Sequence, residues 1–151
     1  MQKKTVTVGQ RKRIALVAHD NMKSELIAWA RTNKSQLIPH ELMATGTTGR
    51  LLHRELDTPV QSFISGPLGG DQQLGGMIAE GKIDILIFFW DPFEPMPHDP
   101  DIKALLRVAA VWNIPIACSV SSANFLVSSP LFAGEYQREI PDYESYLAAR
   151  V

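Results

Sequence analysis

Short, continuous apolar runs alternate with amphipathic stretches along this chain of 151 residues. Apolar runs of this kind are typical of parallel strands buried on both faces, and they lie at 14–18, 42–44, 60–64, 83–90 and 114–120. Between them apolar side chains recur at helical spacing, as Met22, Leu26 and Trp29 do. The alternation predicts an α/β fold: a single three-layer αβα domain with a five-stranded parallel sheet and a Rossmann-type, doubly wound topology.

The two ends of the chain are less regular than its middle. Residues 1–10 are polar and unpatterned, which predicts a loose lead before the first strand. The segment from Phe132 to Ile140 has an ambiguous pattern, and a helical tail is expected from Tyr143. No internal repeat or second core divides the chain, so residues 1–151 are expected to form one domain.

Composition and charge exclude several classes of protein. The chain is 45% hydrophobic and 21% charged, and its formal net charge of −1 gives no electrostatic footprint for nucleic acid or an acidic membrane. Its one cysteine, Cys118, excludes an internal disulfide and a cysteine-based zinc site, and its apolar surroundings predict a buried, inert thiol. No apolar run resembles a signal core or a membrane span, so a cytoplasmic location is expected.

Polar side chains directly follow four of the predicted strands. In an open parallel sheet, ligands bind outside the carboxyl ends of the strands. The four loops carry, in chain order, His19, Asp20 and Lys23; Thr45, Gly46, Thr47 and Thr48; Ser65, Gly66 and Asp71; and Asp91, His98 and Asp101. Because all four loops meet at one edge of the sheet, the sequence predicts a ligand site there.

Two of these loops have the character of an anion site. The run from Thr45 to Thr48 supplies hydroxyl and backbone N–H groups at a helix start, which is typical of phosphate sites, and Lys23 adds a positive charge. The alternative is a threonine that only caps the helix. The glycine-rich turn from Ser65 to Gly70 ends at Asp71, which is either a helix cap or a carboxylate that faces the ligand.

Nucleotide motifs are not supported. The run from Gly76 to Lys82 has the spacing of a P-loop, but Ile83 stands where Ser or Thr is required, and the run leads from a helix into a strand. No Gly-x-Gly-x-x-Gly occurs, so no dinucleotide cofactor is expected. Two of the four histidines, His40 and His53, fall away from the predicted site.

The remaining histidines raise two alternatives. A metal ligand set drawn from His19, Asp20, Asp91 and His98 lacks the compact spacing of known metal motifs, so no metal is expected. His98 and Asp101 are better suited to an acid–base pair in which the carboxylate fixes the imidazole tautomer. The alternative for Asp101 is a charge in the first turn of a helix.

Four motifs at these strand ends are jointly specific. They are Val17-Ala18-His19-Asp20-x-x-Lys23, Ala44-Thr45-Gly46-Thr47-Thr48-Gly49, Ser65-Gly66-Pro67-x-Gly69-Gly70-Asp71-Gln72-Gln73, and Phe89-Trp90-Asp91-Pro92 with Pro97-His98-Asp99-Pro100-Asp101. Along nearly the whole chain the sequence resembles the methylglyoxal synthase family. The resemblance implies a methylglyoxal synthase-like fold and a lyase that converts dihydroxyacetone phosphate to methylglyoxal and inorganic phosphate without a metal or organic cofactor. It also implies an allosteric, cytoplasmic homohexamer that is inhibited by phosphate and serves a bypass of glycolysis.

The resemblance further implies roles for individual residues. Asp71 matches the base that removes a proton from the carbon beside the carbonyl, and His98, supported by Asp101, matches the residue that serves the carbonyl and hydroxyl oxygens. The matching substrate and phosphate contacts are His19, Lys23, Thr45, Gly46, Thr47, Thr48, Ser65, Gly66 and His98. Asp20 and Asp91 match acids of the catalytic site that have no assigned step.

Two other functions would use similar loops. A non-catalytic regulatory module, like the domains of similar fold in carbamoyl phosphate synthetase, needs the phosphate loops but has no use for Asp71 or His98. A triose phosphate isomerase-like enzyme would form the same enediolate and return the proton, giving glyceraldehyde 3-phosphate. Expulsion of phosphate instead requires the breaking C–O bond to lie out of the enediolate plane, so the choice of synthase rests on the family resemblance.

Overall fold

Five parallel strands form the central sheet of the protein, whose computed structural model describes residues 1–151. In sheet order they are β4 (Val60–Phe63), β3 (Glu41–Thr45), β2 (Arg13–Ala18), β5 (Ile85–Phe89) and β6 (Ile116–Ala117). The two central strands, β2 and β5, are apolar and buried along almost their whole length, as strands covered on both faces must be. The predicted five-stranded parallel sheet is confirmed.

The helices divide between the two faces of this sheet. One apolar cluster joins the sheet to α1 (Lys23–Thr32), α3 (Thr48–Leu56) and α6 (Val120–Ser128), and the other joins it to α4 (Gly70–Ala79) and α5 (Asp99–Val111). The short helices are α2 (Lys34–Leu37), α7 (Pro130–Ala133) and α8 (Tyr143–Ala148). The three layers and the helical tail agree with the predictions. None of the helices combines the length and the apolar composition that crossing a bilayer requires.

The N-terminal segment is a strand, which corrects the prediction of a loose lead over residues 1–10. β1 (Lys3–Val8) pairs antiparallel with β7 (Tyr136–Pro141) along its full length. Val8 is buried while Thr7 is exposed, so β1 rests one face against the rest of the protein. Its partner lies at the far end of the chain, in the segment whose pattern was ambiguous, and a local pattern does not report such a distant pairing.

The last predicted strand is shorter than its apolar run. Of residues 114–120 only the two residues of β6 pair with the sheet, and Cys118 beyond them is exposed, so the prediction of a buried thiol is wrong. The Ser119 hydroxyl accepts a hydrogen bond from the backbone N–H of Ser122 at 3.3 Å and caps α6. The chain therefore turns into a helix immediately after β6.

The strand order creates a crevice between β2 and β5. From β2 the chain moves outward through β3 to β4, and it then returns to the other side of β2 to form β5 and β6. The loops after β2 and β5 consequently leave the sheet in opposite directions. Open α/β sheets bind their ligands at such a point.

Candidate active site

A cavity of about 310 Å³ opens at this edge of the sheet. Its lining includes most of the predicted site residues, namely His19, Asp20, Lys23, Thr45, Gly46, Ser65, Gly66, Asp71 and His98. The remaining predicted residues, Thr47, Thr48, Asp91 and Asp101, are not part of the lining. The four loops therefore meet at one cavity, while some of their polar side chains lie behind or beside it.

Lys23 supplies the positive charge of the cavity. Its ammonium donates to Thr47 Oγ1 at 2.9 Å and pairs with the Asp20 carboxylate at 2.7 Å. The hydrogen bond from Lys23 lowers the pKa of Asp20 below its ordinary value, so Asp20 is ionised at neutral pH. Because the Asp20 side chain is 86% exposed, this ion pair is weak enough for an entering anion to share Lys23.

The turn after β3 presents a helix start to the cavity. Gly46 has a left-handed φ of 58°, and a side chain there would come within 2.9 Å of Ser65 Oγ. Its N–H donates to Phe63 O at 3.0 Å, so this amide is not available to an anion. The free N–H groups belong to the first turn of α3, which begins at Thr48. The Thr47 side chain makes no capping hydrogen bond, which counts against a threonine that only caps the helix.

Asp71 is a buried carboxylate whose Oδ2 atom has no hydrogen-bond partner. It lies in the first turn of α4 and is 3% exposed. The N-cap of this helix is Gly69, with a φ of 112° and no side-chain cap, so the interpretation of Asp71 as the cap is wrong. Burial raises the pKa of Asp71 above its ordinary value of 3.8, with His98 acting against this rise and Asp101 adding to it.

His98 lies across a narrow gap from Asp71. Its Nε2 atom is 3.8 Å from Asp71 Oδ2. Gly66 keeps this gap open, because a Cβ at that position would lie 3.1 Å from His98 Nε2 and 3.2 Å from Asp71 Oδ1. The carboxylate and the imidazole can therefore act on the same small substrate.

The predicted hydrogen bond between His98 and Asp101 is absent. His98 Nδ1 is buried and has no partner in the protein. Asp101 instead donates its backbone N–H to the His98 carbonyl at 2.9 Å, as a residue in the first turn of α5. The two residues are therefore linked through their backbones, and the structure does not contain the predicted carboxylate–imidazole bond that would fix the tautomer of His98.

His19 has a defined tautomer. The backbone N–H of Asp91 donates to His19 Nδ1 at 2.9 Å, so the neutral ring carries its hydrogen on Nε2. Burial, followed by the neighbouring His98, lowers the pKa of His19 below its ordinary value of 6.5 and keeps the ring neutral at neutral pH. The Nε2 atom of His19 is buried without a protein partner. The ring centroids of His19 and His98 are 5.2 Å apart. His19 therefore offers the cavity a neutral hydrogen-bond donor.

Asp91 supports the cavity from behind. Its Oδ2 accepts a hydrogen bond from Asn21 Nδ2 at 2.9 Å, and its Oδ1 accepts one from the Phe93 N–H at 2.9 Å. The bond from Asn21 is the main reason why the pKa of Asp91 is lowered. Sequence reasoning missed Asn21, because only the pairing of β2 with β5 brings the two loops together.

Pro67, Leu68 and Met96 add apolar surface to the cavity. Met96 is held by its backbone N–H, which donates to Asp99 Oδ2 at 3.0 Å. Nothing in the sequence indicated that this loop presents Met96 to the cavity. No three His, Cys, Asp or Glu side chains are grouped so that they could hold a metal ion.

The arrangement is suited to removing a proton from carbon in a small phosphorylated substrate. Asp71 is a carboxylate whose burial makes it more basic. His19 and His98 provide imidazole groups near the position where an oxyanion would develop. Lys23 and the start of α3 provide the charge and the N–H groups that bind a phosphate.

Comparison with known proteins agrees with this chemistry. The family profile described as the MGS-like domain matches residues 25–118. The chain is 60% identical over 150 residues to methylglyoxal synthase from Saccharophagus degradans, covering 99% of this chain and 97% of that protein. It is 58% identical over 151 residues to methylglyoxal synthase from Vibrio parahaemolyticus, covering both chains completely. The crystal structure of methylglyoxal synthase from Elizabethkingia anophelis superposes with a TM-score of 0.87 at 53% identity, covering 95% of each chain. The chain belongs to the methylglyoxal synthase family.

Proposed function

We propose that this cavity converts dihydroxyacetone phosphate to methylglyoxal and inorganic phosphate, with Asp71 as the base. As a member of the methylglyoxal synthase family the chain is a carbon–oxygen lyase, and dihydroxyacetone phosphate is the substrate of that reaction. The observation that supports Asp71 most directly is its burial with an unpartnered oxygen 3.8 Å from His98 Nε2. A buried carboxylate without a structural partner is costly to keep, and catalysis explains why it is kept.

The first step forms the enediolate. Asp71 takes a proton from the hydroxyl-bearing carbon, and the electrons of that C–H bond form the carbon–carbon double bond of the enediolate. The carbonyl oxygen gains negative charge as this happens. His98 and the Nε2–H of His19 stabilise it, because both imidazoles lie at the cavity beside the base.

The second step expels phosphate. His98 gives a proton to the former carbonyl oxygen and takes the one from the neighbouring hydroxyl. The carbon that carried this hydroxyl becomes an aldehyde. The double bond shifts to the carbon that carries the phosphate group, and the C–O bond to phosphate breaks. The proton held by Asp71 leaves with the phosphate, and the enol product then becomes methylglyoxal. Atoms and charges balance without any further reactant.

Elimination rather than isomerisation depends on how the phosphate is held. The breaking C–O bond must overlap the π system of the enediolate, so the group must be fixed out of its plane. Lys23, with Thr47 beside it, and the first turn of α3 are the groups suited to fix it. Gly46 contributes the turn that aims this helix start, while its own N–H is used within the sheet.

The test is methylglyoxal formation from dihydroxyacetone phosphate by the purified chain and by Asp71→Asn. Loss of a general base is expected to lower kcat by about 10³-fold or more. The matched control is Asp57→Asn, an exposed carboxylate outside the cavity whose left-handed backbone Asn also tolerates. If Asp71→Asn folds and keeps an activity near that of the parent chain, Asp71 is not the base. Glyceraldehyde 3-phosphate as the product would instead indicate an isomerase, and phosphate binding without turnover a regulatory module.

We also propose that the chain forms a hexamer in the cytoplasm and that phosphate inhibits it. Phe93 is 91% exposed and Phe125 is 79% exposed, which suits burial between subunits. Phosphate is both the product and a competitor for Lys23. Light scattering should give the mass of six chains, and a monomer would contradict the proposed hexamer. Added phosphate should raise the apparent KM, and an unchanged KM would contradict the proposed inhibition.

A further inference from the structure

A chain of three residues joins the loops after β2 and β5 behind the cavity. Asn21 Nδ2 donates to Asp91 Oδ2, and the Asp91 backbone N–H donates to His19 Nδ1, each at 2.9 Å. Asn21 lies in the single helical turn Asp20–Met22, and no side chain caps either that turn or the helix that follows it. The Asn21 side chain is therefore used to hold Asp91 rather than to cap a helix.

The position of Asp91 is determined through both of its carboxylate oxygens. Asn21 binds Oδ2, while the N–H of Phe93 binds Oδ1 at 2.9 Å. The Phe93 bond lies within the same loop, so it shapes that loop without anchoring it. Asn21 is the side chain that ties the carboxylate to the neighbouring loop. Together with the backbone bond from the His19 N–H to Phe89 O at 3.2 Å, it holds Asp91 where its own N–H reaches His19.

The tautomer of His19 depends on that N–H. As long as Nδ1 accepts this hydrogen bond, the hydrogen of the neutral ring is on Nε2, which is buried at the cavity without a protein partner. If the N–H moves away, the Nδ1–H tautomer becomes accessible and the cavity loses its donor. The other ionisable groups that act on this ring are His98, Asp99, Asp91 and Asp20.

We propose that Asn21 is a positioning residue, which holds Asp91 so that its backbone N–H keeps His19 as an Nε2–H donor toward the substrate oxygen. This inference rests on the proposed function for the identity of that oxygen. The tautomer itself is a property of the folded protein and is measured without substrate. A failure of the proposed function and a failure of this inference are therefore distinguishable.

The test combines two-bond ¹H–¹⁵N NMR of the imidazole rings with steady-state kinetics on Asn21→Ala and Asn21→Asp. His19 should give the Nε2–H pattern in the parent chain and a mixture with Nδ1–H in Asn21→Ala, and kcat should fall about tenfold with a smaller change in KM. Asn21→Asp is nearly isosteric but places a carboxylate against Asp91, so kcat should fall further than in Asn21→Ala. Asn21→Gln, which keeps an amide donor, should recover part of the lost kcat.

Asn33→Ala is the matched control. Asn33 Nδ2 also makes one hydrogen bond at 2.9 Å, to Trp29 O at the end of α1, and it is not part of the cavity lining. This variant should keep the parent kcat and the Nε2–H signal of His19. The inference is overturned if Asn21→Ala keeps both the tautomer and kcat within twofold, or if Asn33→Ala loses as much kcat as Asn21→Ala. Should Asn21→Asp fail to fold, Asn21→Ala with its NMR signal decides alone.

Discussion

Asp71, the proposed base, is a single residue whose position works against the stability of the fold. Its carboxylate is buried, and Oδ2 has no hydrogen bond to offset the lost hydration. Gly66 leaves room for this carboxylate and for His98, so the gap between them stays open to a substrate. The protein thus keeps a carboxyl group in a place where burial favours its neutral form.

The activity should depend on the protonation of Asp71. A base must be ionised, and burial raises the pKa of this carboxyl above 3.8. The acid limb of kcat/KM is therefore expected above pH 3.8, with activity rising as pH rises through it. A pH–rate profile at constant ionic strength measures this, and an acid limb at or below 3.8 would contradict the raised pKa.

The stability of Asp71→Asn should move in the opposite direction to its activity. Because the folded-state pKa is raised, the ionised group costs stability at pH values above the folded pKa, and this cost disappears as pH falls below the unfolded pKa. Asp71→Asn should therefore increase the unfolding free energy at pH 7 by roughly 1 kcal/mol and lose this advantage near pH 4. Urea unfolding of both proteins at the two pH values measures this difference in unfolding free energy. A difference of the same size at both pH values would contradict the prediction.

Sequence alone could place Lys23 and Asp71 at the cavity, because the loop after each parallel strand opens at the same edge. It could not show which side chains bind each other there. The spacing of His98 and Asp101 suggested a pair, yet the structure has no hydrogen bond to His98 Nδ1. Asn21 resembled a helix cap in the sequence, and nothing there indicated its bond to Asp91, because this partner is 70 residues away in the chain.

Among the elements, the continuous apolar runs of β2 and β5 identified their strands, since only burial on both faces accounts for them. The pairing of β1 with β7 had no such signal. Each of these strands has one exposed face and a distant partner, so its stability comes from contacts that a local pattern does not contain. Elements set by burial could be predicted, and elements set by distant pairing could not.

Two glycines of α4 should respond in opposite ways to alanine. A Cβ on Gly70 would meet the Ile64 carbonyl oxygen at 2.0 Å, so the turn from β4 would have to move. A Cβ on Gly76 meets nothing within 4 Å. Gly70→Ala should cost about 3 kcal/mol of unfolding free energy, whereas Gly76→Ala should add roughly 0.5–1 kcal/mol through helix propensity. Urea denaturation measures both, and destabilisation by Gly76→Ala would contradict the open space around this position.

At the scale of the whole molecule, the edge of the sheet opposite the cavity is a structural junction. Lys12 is fully buried there, and its ammonium donates to Gly9 O and Gly134 O at 2.6 Å each. Its backbone N–H donates to His40 Nδ1 at 2.9 Å. The junction joins the first two strands of the chain to the segment that leads into β7, so both chain ends depend on it.

His40 should make this junction sensitive to acid. Burial first, then Lys12 and Arg11, lower the pKa of His40 below its ordinary value of 6.5. Its contribution to stability is present above pH 6.5 and is lost as pH falls through the folded pKa, because the unfolded chain binds the proton first. His40→Asn keeps an acceptor for Lys12 but does not titrate, so its unfolding free energy should fall less between pH 7 and pH 5. His19 is present in both proteins, so the difference between them reports on His40 alone. Equal losses of unfolding free energy in the parent chain and in His40→Asn would contradict the role of His40.

The ammonium of Lys12 should stabilise the pairing of β1 with β7 more than it stabilises the central sheet. Lys12→Met keeps the apolar stem but leaves the carbonyls of Gly9 and Gly134 without their donor, at a cost of roughly 2 kcal/mol. Hydrogen exchange should therefore quicken at the amides of β7 while those of β2 and β5 stay protected, because the cavity edge does not depend on this junction. Lys3→Met removes an exposed lysine from β1 and should leave the exchange unchanged. If both variants accelerate hydrogen exchange in β7 equally, strand pairing rather than the buried ammonium holds the chain ends together. Methylglyoxal formation should stay at the parent level in both variants, because the cavity lies at the other edge of the sheet.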